Sequence, residues 1–170
     1  MCHLQFFSAS YNPLVALPPE IGCLASLRCL WLIGCQLGSL PSSLGKLSKL
    51  KMLGLGHNQI NSIPNEMCNL QNLEWLGLNE NQMRDLPENM EGFKKLLVLN
   101  LNGNGFKSVP LELKKSSRLV SVLLQRNCIQ SISLETVQSL SFLSFLDIRN
   151  NGIHKRPYEW KVFIEFYVYL

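Results

Sequence analysis

Residues 50–64 read LKMLGLGHNQINSIP, and this segment decides the fold of the chain. Its apolar residues alternate at Leu53 and Leu55, a period of two that is typical of a short β-strand with one buried face. Asn58 follows the strand, and the segment ends on the apolar-proline pair Ile63 and Pro64. The segment thus gives the rule LxxLxLxxNxLxxLP, in which isoleucine can replace leucine.

The same rule recurs along the chain at a nearly constant interval. Its first leucine stands at seven positions, spaced 23 residues apart five times and then 24: Leu4, Leu27, Leu50, Leu73, Leu96, Leu119 and Leu143. Short units of this kind cannot bury their apolar residues alone and must stack on one another. We therefore predict seven stacked repeats over residues 1–157, followed by a non-repeat aromatic tail over residues 158–170.

This motif resembles the leucine-rich repeat family over residues 4–157, and the recurring Leu-Pro pair is similar to the intracellular Ras group, which includes the Sur/Shoc-type scaffold. The resemblance implies an α/β fold. It is a right-handed horseshoe solenoid with a parallel β-sheet on the concave face and short helical turns on the convex face. The resemblance also implies a protein-protein interaction scaffold or adaptor in cytoplasmic signalling, with a small GTPase or phosphatase as a candidate partner.

An asparagine follows the strand in every repeat but the second: Asn12, Asn58, Asn81, Asn104, Asn127 and Asn151. At this point the chain turns inward, and backbone groups lose their strand partners. A side-chain amide can both donate to and accept from such groups, so we interpret the row as a structural asparagine ladder. Cys35 replaces the asparagine in the second repeat and predicts a softer turn there.

Prolines recur after the turns, at Pro18, Pro41, Pro64, Pro87 and Pro110. Proline lacks a backbone N–H and suits the first position of a helical turn. We therefore predict a short helical segment that begins at each of these prolines.

The outward-facing strand residues of the first five repeats carry no charge and form the predicted partner-binding face, which is centred on Trp31 and Trp75. It comprises Trp31, Ile33, Met52, Gly54, Gly56, Trp75, Asn79, Val98, Asn100 and Asn102. We expect the glycines to leave a bare depression that receives an apolar side chain of a partner protein, while the asparagines bind the partner's backbone. The alternative is that Trp31 lies over Gly54 and serves stability only.

A second candidate surface is basic and comprises Lys94, Lys95, Lys107, Lys114, Lys115, Arg118 and Arg126. We interpret it as solubilising charge, with an acidic partner or anionic lipid as the alternative.

Catalytic, metal and cofactor signatures are absent from the sequence. The three histidines lie far apart, the six cysteines form no CxxC pair, and Gly54-Leu55-Gly56 lacks the remainder of a phosphate loop. A net charge of +4 without a long basic block argues against nucleic acid. No apolar run approaches the roughly 20 residues of a membrane span. We predict a cytoplasmic, non-enzymatic protein with no metal and no cofactor.

The two ends of the repeat array look unfinished. The first repeat begins at Leu4, which leaves three residues for an end cap, so we expect further repeats upstream or a partner at this end. The alternative function is therefore the recognition segment of a larger enzyme, GTPase or immune receptor. The tail could fold back as a cap or be unrelated to the repeats.

Overall fold

A computed structural model describes residues 3–154 and 168–169. Each repeat contributes one three-residue strand, and two residues near the end of the chain form an eighth. The strands are β1 Phe6–Ser8, β2 Cys29–Trp31, β3 Met52–Gly54, β4 Trp75–Gly77, β5 Val98–Asn100, β6 Ser121–Leu123, β7 Phe145–Asp147 and β8 Val168–Tyr169. They form one parallel sheet in chain order. The predicted solenoid fold is confirmed.

The register of the sheet aligns equivalent residues of successive repeats. Cys29 pairs with Met52, and Met52 pairs with Trp75. Neighbouring strands of a sheet lie about 4.8 Å apart. Side chains at one strand position therefore form a straight row across the repeats, and each row can act as one surface.

The core lies behind the sheet and is built from the inward leucines. Leu53 and Leu55 of the third repeat are fully buried, as are their equivalents in the second, fourth and fifth repeats. In the first repeat, by contrast, Leu4 and Phe7 are only partly buried against the core. The core is continuous along the array and open at the first repeat.

The convex side carries short helices, as predicted. Five are 3-10 helices, at Pro19–Cys23, Ser42–Lys46, Asn65–Asn69, Met90–Gly92 and Leu111–Lys115, and one is the α-helix α1, Leu134–Ser139. Pro18, Pro41, Pro64 and Pro110 precede their helices by one residue instead of opening them. Their ψ angles, such as 143° at Pro64, are extended, so the expected first helical position was wrong by one residue. After Pro87, the helix begins only at Met90.

Among the described residues, one helix is an α-helix, and it follows the turn in which serine replaces proline. Ser133 Oγ accepts a hydrogen bond from the Thr136 N–H at 3.1 Å, the usual contact of a helix N-cap. A side-chain cap of this kind satisfies a free N–H in the first turn. The change from proline to serine thus accompanies the change from 3-10 to α-helix.

The predicted aromatic tail lies outside the described residues, apart from Val168–Tyr169 in β8. Among the described residues, no helix has both the length and the apolar character needed to cross a membrane.

Candidate protein-binding site

Asn58 shows how the asparagine ladder fixes the turns beside the sheet. Its Nδ2 donates to the carbonyl oxygens of Leu55 at 2.9 Å and of Leu32, in the preceding repeat, at 2.8 Å. Its Oδ1 accepts from the N–H groups of Cys35 at 2.9 Å and Leu37 at 3.0 Å. One side chain therefore joins two turns, and its polar atoms are occupied within the fold.

The other ladder residues repeat this geometry with small differences. Asn81, Asn104, Asn127 and Asn151 each donate to the preceding repeat and accept one of its N–H groups. Asn12 donates to its own turn, at Ala9 and Ser10. The ladder supports the concave face from the side.

The Cys35 side chain donates a hydrogen bond as an asparagine would at this position, but it lacks the amide oxygen that would accept one. The buried thiol donates to the carbonyl oxygen of Ala9 at 3.3 Å, as an asparagine Nδ2 would. No Oδ1 is present to accept the N–H of Leu14, which bonds to Asn12 O at 2.8 Å instead. The next residue, Val15, has a φ of 62°. The distortion thus lies in the first repeat and not in the turn that contains Cys35.

The glycines of the concave face are covered by the protein's own side chains. A Cβ atom at Gly54 would lie 2.3 Å from Trp31 Cε3, and one at Gly77 would lie 2.3 Å from Trp75 Cη2. Both glycines are buried. The expectation of a bare depression was wrong, because each indole occupies the space into which a Cβ would project. Trp31 does lie over Gly54, as the alternative interpretation has it.

The two indoles also contact each other. The ring centroids of Trp31 and Trp75 are 5.3 Å apart and the ring planes are inclined at 46°. Both side chains remain partly exposed. We call this pair, with Gly54 and Gly77 beneath it, the tryptophan platform. It joins three neighbouring strands of the sheet, β2 to β4, into one aromatic surface.

Apolar and amide side chains surround the platform. Ile33, Met52 and Val98 are partly exposed beside it. The amide of Asn79 covers Gly56, where a Cβ would lie 2.7 Å from Asn79 Oδ1. The structure therefore brings these predicted residues onto one continuous face.

Two of the predicted asparagines already use their oxygen atoms within the fold. Asn100 Oδ1 accepts the N–H of Asn102 at 3.1 Å, and Asn102 Oδ1 accepts the N–H of Gln125 at 2.7 Å. The cause is that residues just after a strand need acceptors for their own N–H groups. Within residues 3–154, the Nδ2 atoms of these two amides form no hydrogen bond. These two side chains can therefore donate hydrogen bonds to a partner.

Charge enters the concave face only in its last repeats and is paired there. Asp147 is buried and accepts from Arg149 Nη2 at 2.7 Å and from Gln125 Nε2. Burial alone would raise the pKa of Asp147, but the hydrogen bonds from Arg149 and Gln125 and the charge of Arg149 outweigh it and lower the pKa. The carboxylate is thus held ionised in the sheet.

A second ion pair crosses one whole repeat and was not foreseen from the sequence. Arg126 Nη2 lies 2.8 Å from Glu80 Oε1. Between them stands Gly103, where a Cβ would lie 2.5 Å from Glu80 Cδ. The signal in the sequence was opposite charges at one repeat position, two units apart, with glycine between them.

The cysteines give no sign of a metal centre. Cys23, Cys29, Cys35, Cys68 and Cys128 are free thiols. Burial, with a smaller effect of the Glu91 charge, raises the pKa of Cys68 to about 12, so this thiol stays protonated. In the part of the chain that the structure describes, no three metal-ligating side chains converge.

Two overlapping segments, residues 25–83 and 48–106, match the sequence model of the leucine rich repeat family. The chain has the leucine-rich repeat fold. This fold is generally a non-enzymatic, protein-interaction fold. A search of curated protein sequences finds no significant match.

Solved structures with the leucine-rich repeat fold agree with the whole array. A leucine-rich repeat protein of Leptospira interrogans is 29% identical with a TM-score of 0.74, over 92% of this chain and 45% of that one. An internalin of Listeria monocytogenes is 25% identical with a TM-score of 0.76, over 91% and 44%. The plant peptide hormone receptor RGFR1, in complex with RGF2, is 27% identical with a TM-score of 0.74, over 88% and 25%. The chain spans less than half the length of these proteins.

Proposed function

We propose that this chain is a protein-binding repeat module that recognises its partner with the concave face of the second to fifth repeats. The observation that supports this most directly is the tryptophan platform. Its two indoles are in contact and partly exposed, on a face whose neighbouring outward positions carry no charged residue. Tryptophan is enriched among the residues that dominate binding energy, and rings already held in place lose little freedom on binding.

The chemistry of the face defines the kind of partner. An apolar or aromatic side chain would lie on the platform, bordered by Ile33, Met52 and Val98. The donors at Asn100 Nδ2 and Asn102 Nδ2 would reach carbonyl oxygens of the same partner segment. The partner is therefore a protein segment with an apolar anchor. That RGFR1, a similar protein, was solved in complex with RGF2 supports a binding role for such arrays.

The role in the cell that fits this module best is a scaffold or adaptor in cytoplasmic signalling, within the Ras group of repeats. The recurring Leu-Pro pair and the 23-residue repeat support this assignment. A small GTPase or a phosphatase is the corresponding candidate partner.

A second candidate role is the recognition segment of a larger enzyme, GTPase or immune receptor. The observation that favours it is that the chain spans 45% of one solved relative and 25% of another. The full-length transcript distinguishes the two roles, since it shows whether a catalytic or receptor domain is joined to the repeats.

The binding role is tested by placing a charge beside the platform without removing its packing. Val98 pairs with Trp75 and is partly exposed, so Val98→Lys should abolish partner binding while leaving the thermal unfolding midpoint nearly unchanged. Leu111→Lys is the matched control, because Leu111 is 49% exposed on the convex side. Partners are captured by cross-linking and mass spectrometry, and affinities are then measured with the purified partner.

Truncating the platform should have the larger effect. Trp31→Ala and Trp75→Ala should each cost about 2 kcal/mol of binding free energy. The proposal is wrong if all three concave variants keep full affinity, or if Leu111→Lys weakens binding as much as Val98→Lys does.

A further inference from the structure

A second surface lies where the strands begin, separate from the concave face. We define the strand-start edge as the residue just before the first leucine of each repeat together with the residue just after it. From the second repeat to the seventh, these residues are Ser26, Arg28, Lys49, Lys51, Asn72, Glu74, Lys95, Leu97, Arg118, Val120, Phe142 and Ser144. They form two parallel rows beside the sheet.

Backbone hydrogen bonds hold these rows in register. The Lys51 N–H donates to Arg28 O at 2.8 Å, and the Glu74 N–H donates to Lys51 O at 2.8 Å. The same bond continues at Leu97 and Val120, at 2.9 Å in both cases. The side chains of the edge are therefore fixed about one strand spacing, roughly 4.8 Å, from their neighbours.

The edge concentrates the positive charge of the chain. It holds the cations Arg28, Lys49, Lys51, Lys95 and Arg118 against the single carboxylate of Glu74. This excess of four equals the net charge of the whole chain. Only Lys51 forms an ion pair there, with Glu74 at 2.9 Å, among the residues that the structure describes. The remaining cations repel one another and favour an anionic partner.

Three of these cations line one concavity. It has a volume of about 190 Å³ and is lined by Arg28, Lys49, Lys51 and Asn72. We call it the basic concavity. Asn72 is fixed in its wall, because its Nδ2 donates to Ser48 O at 2.8 Å and its Oδ1 accepts from Lys95 Nζ at 2.8 Å. A second concavity, of about 210 Å³, is lined by Arg84 and by the acidic Asp85 and Glu112, so it has no excess of positive charge.

The other half of the edge carries apolar side chains in addition to the cations Lys95 and Arg118. Leu97, Val120 and Phe142, which we call the apolar run, are 39%, 42% and 42% exposed. They lie on three successive repeats, with Leu97 and Val120 in the row that follows the first leucine and Phe142 in the row that precedes it. Apolar side chains thus join the cations only in the second half of the edge.

We propose that the strand-start edge binds an acidic segment of a partner protein, with its carboxylates in the basic concavity and its apolar residues on the apolar run. Five strand spacings separate the second repeat from the seventh, about 24 Å, which roughly seven extended residues span. Carboxylates suit the concavity because arginine and lysine both donate charge-assisted hydrogen bonds to them.

A protein segment fits this edge better than a membrane does. Insertion into lipid requires apolar side chains that project into the acyl layer. The three residues of the apolar run are each more than half covered. The cations Arg28, Lys49 and Lys51 are exposed, but they converge on one concavity. Such a surface receives a narrow chain and makes poor contact with a flat bilayer.

The test uses the full chain and a synthetic peptide in which a run of glutamates is followed by leucine and phenylalanine. Binding is measured by isothermal calorimetry at low and high salt, and the bound residues are mapped by amide chemical shifts. We expect binding that weakens with salt and shifts at the basic concavity and the apolar run. The same peptide with lysine in place of glutamate should not bind.

A charge-matched pair of variants separates this site from general electrostatics. Arg28→Glu with Lys49→Glu should reduce peptide affinity at least about tenfold. Lys107→Glu with Lys114→Glu changes the net charge equally at exposed positions away from the edge, and should reduce affinity less than about twofold.

Three outcomes would overturn the proposal: no binding of the acidic peptide, equal losses in the two double variants, or binding to phosphatidylserine vesicles instead of the peptide. The concave face is unchanged in every arm, so none of these results bears on the function proposed for the tryptophan platform.

Discussion

At the scale of single residues, one backbone position shows how firmly the repeat dictates conformation. The residue before each ladder position has a positive φ in all seven repeats: Tyr11, Gly34, His57, Glu80, Gly103, Arg126 and Asn150, between 52° and 64°. Only Gly34 and Gly103 lack a Cβ. A left-handed conformation costs other residues roughly 1–2 kcal/mol. The hydrogen bonds of the ladder must therefore offset this cost in the five turns without a glycine at this position.

Cys35 is the position where a single substitution should add stability. Cys35→Asn restores an acceptor for the Leu14 N–H and keeps a donor for Ala9 O, the two contacts that Asn58 makes one repeat later. A net hydrogen bond contributes about 1 kcal/mol, and we expect a gain of that size in the free energy of unfolding. Urea titration followed by circular dichroism measures it.

The control for this prediction is Cys35→Ala, which removes the thiol donor and should destabilise the protein. If Cys35→Asn lowers the stability as much as Cys35→Ala does, the second turn cannot accommodate an amide, and the ladder explanation of the distorted first repeat is wrong.

At the scale of elements, the order of the strands and their buried faces could be predicted, but the type of each helix and the position of the Trp31 ring could not. Leu53 and Leu55 are two residues apart because every second side chain of a strand faces the core. The same spacing recurs in every repeat. The helix type depends on single contacts such as the N-cap at Ser133, because the helix propensities of these short segments are weak. The position of the Trp31 ring depends on a glycine in the next strand. The sequence pattern alone does not determine which rotamer this ring adopts.

The tryptophan platform depends on the space above Gly54. In Gly54→Ala the new Cβ would lie 2.3 Å from Trp31 Cε3, so the indole must move and separate from Trp75. We expect loss of the exciton signal of contacting indoles in circular dichroism, and a loss of stability of about 1 kcal/mol or more, as overpacking usually costs.

Gly38→Ala is the matched control, since nothing lies within 4 Å of a Cβ at that position. It should leave both the exciton signal and the stability close to the unchanged protein. An unaltered exciton signal in Gly54→Ala would show that the two indoles are not held together by the glycine floor.

At the scale of the whole molecule, the two ends of the array differ. In the seventh repeat, Leu143 and Leu146 are 6% exposed and Ile148 is 1% exposed. In the first repeat, Leu4 and Phe7 are only partly buried, and Val15 has a left-handed backbone. Stability in a repeat array is a sum of local terms, so the first repeat should open more readily than the rest.

Hydrogen exchange measured by mass spectrometry tests this gradient. Amides of residues 4–26 should exchange fastest, and those of the third to fifth repeats slowest, because fully buried leucines surround the latter. Cys35→Asn should slow exchange in residues 4–26 specifically, since its new acceptor would hold the Leu14 N–H in the first turn. Uniform exchange along the array, or protection in Cys35→Asn that rises equally in all repeats, would contradict a weak first repeat. A local response would instead connect one missing side-chain oxygen to the order in which the solenoid opens.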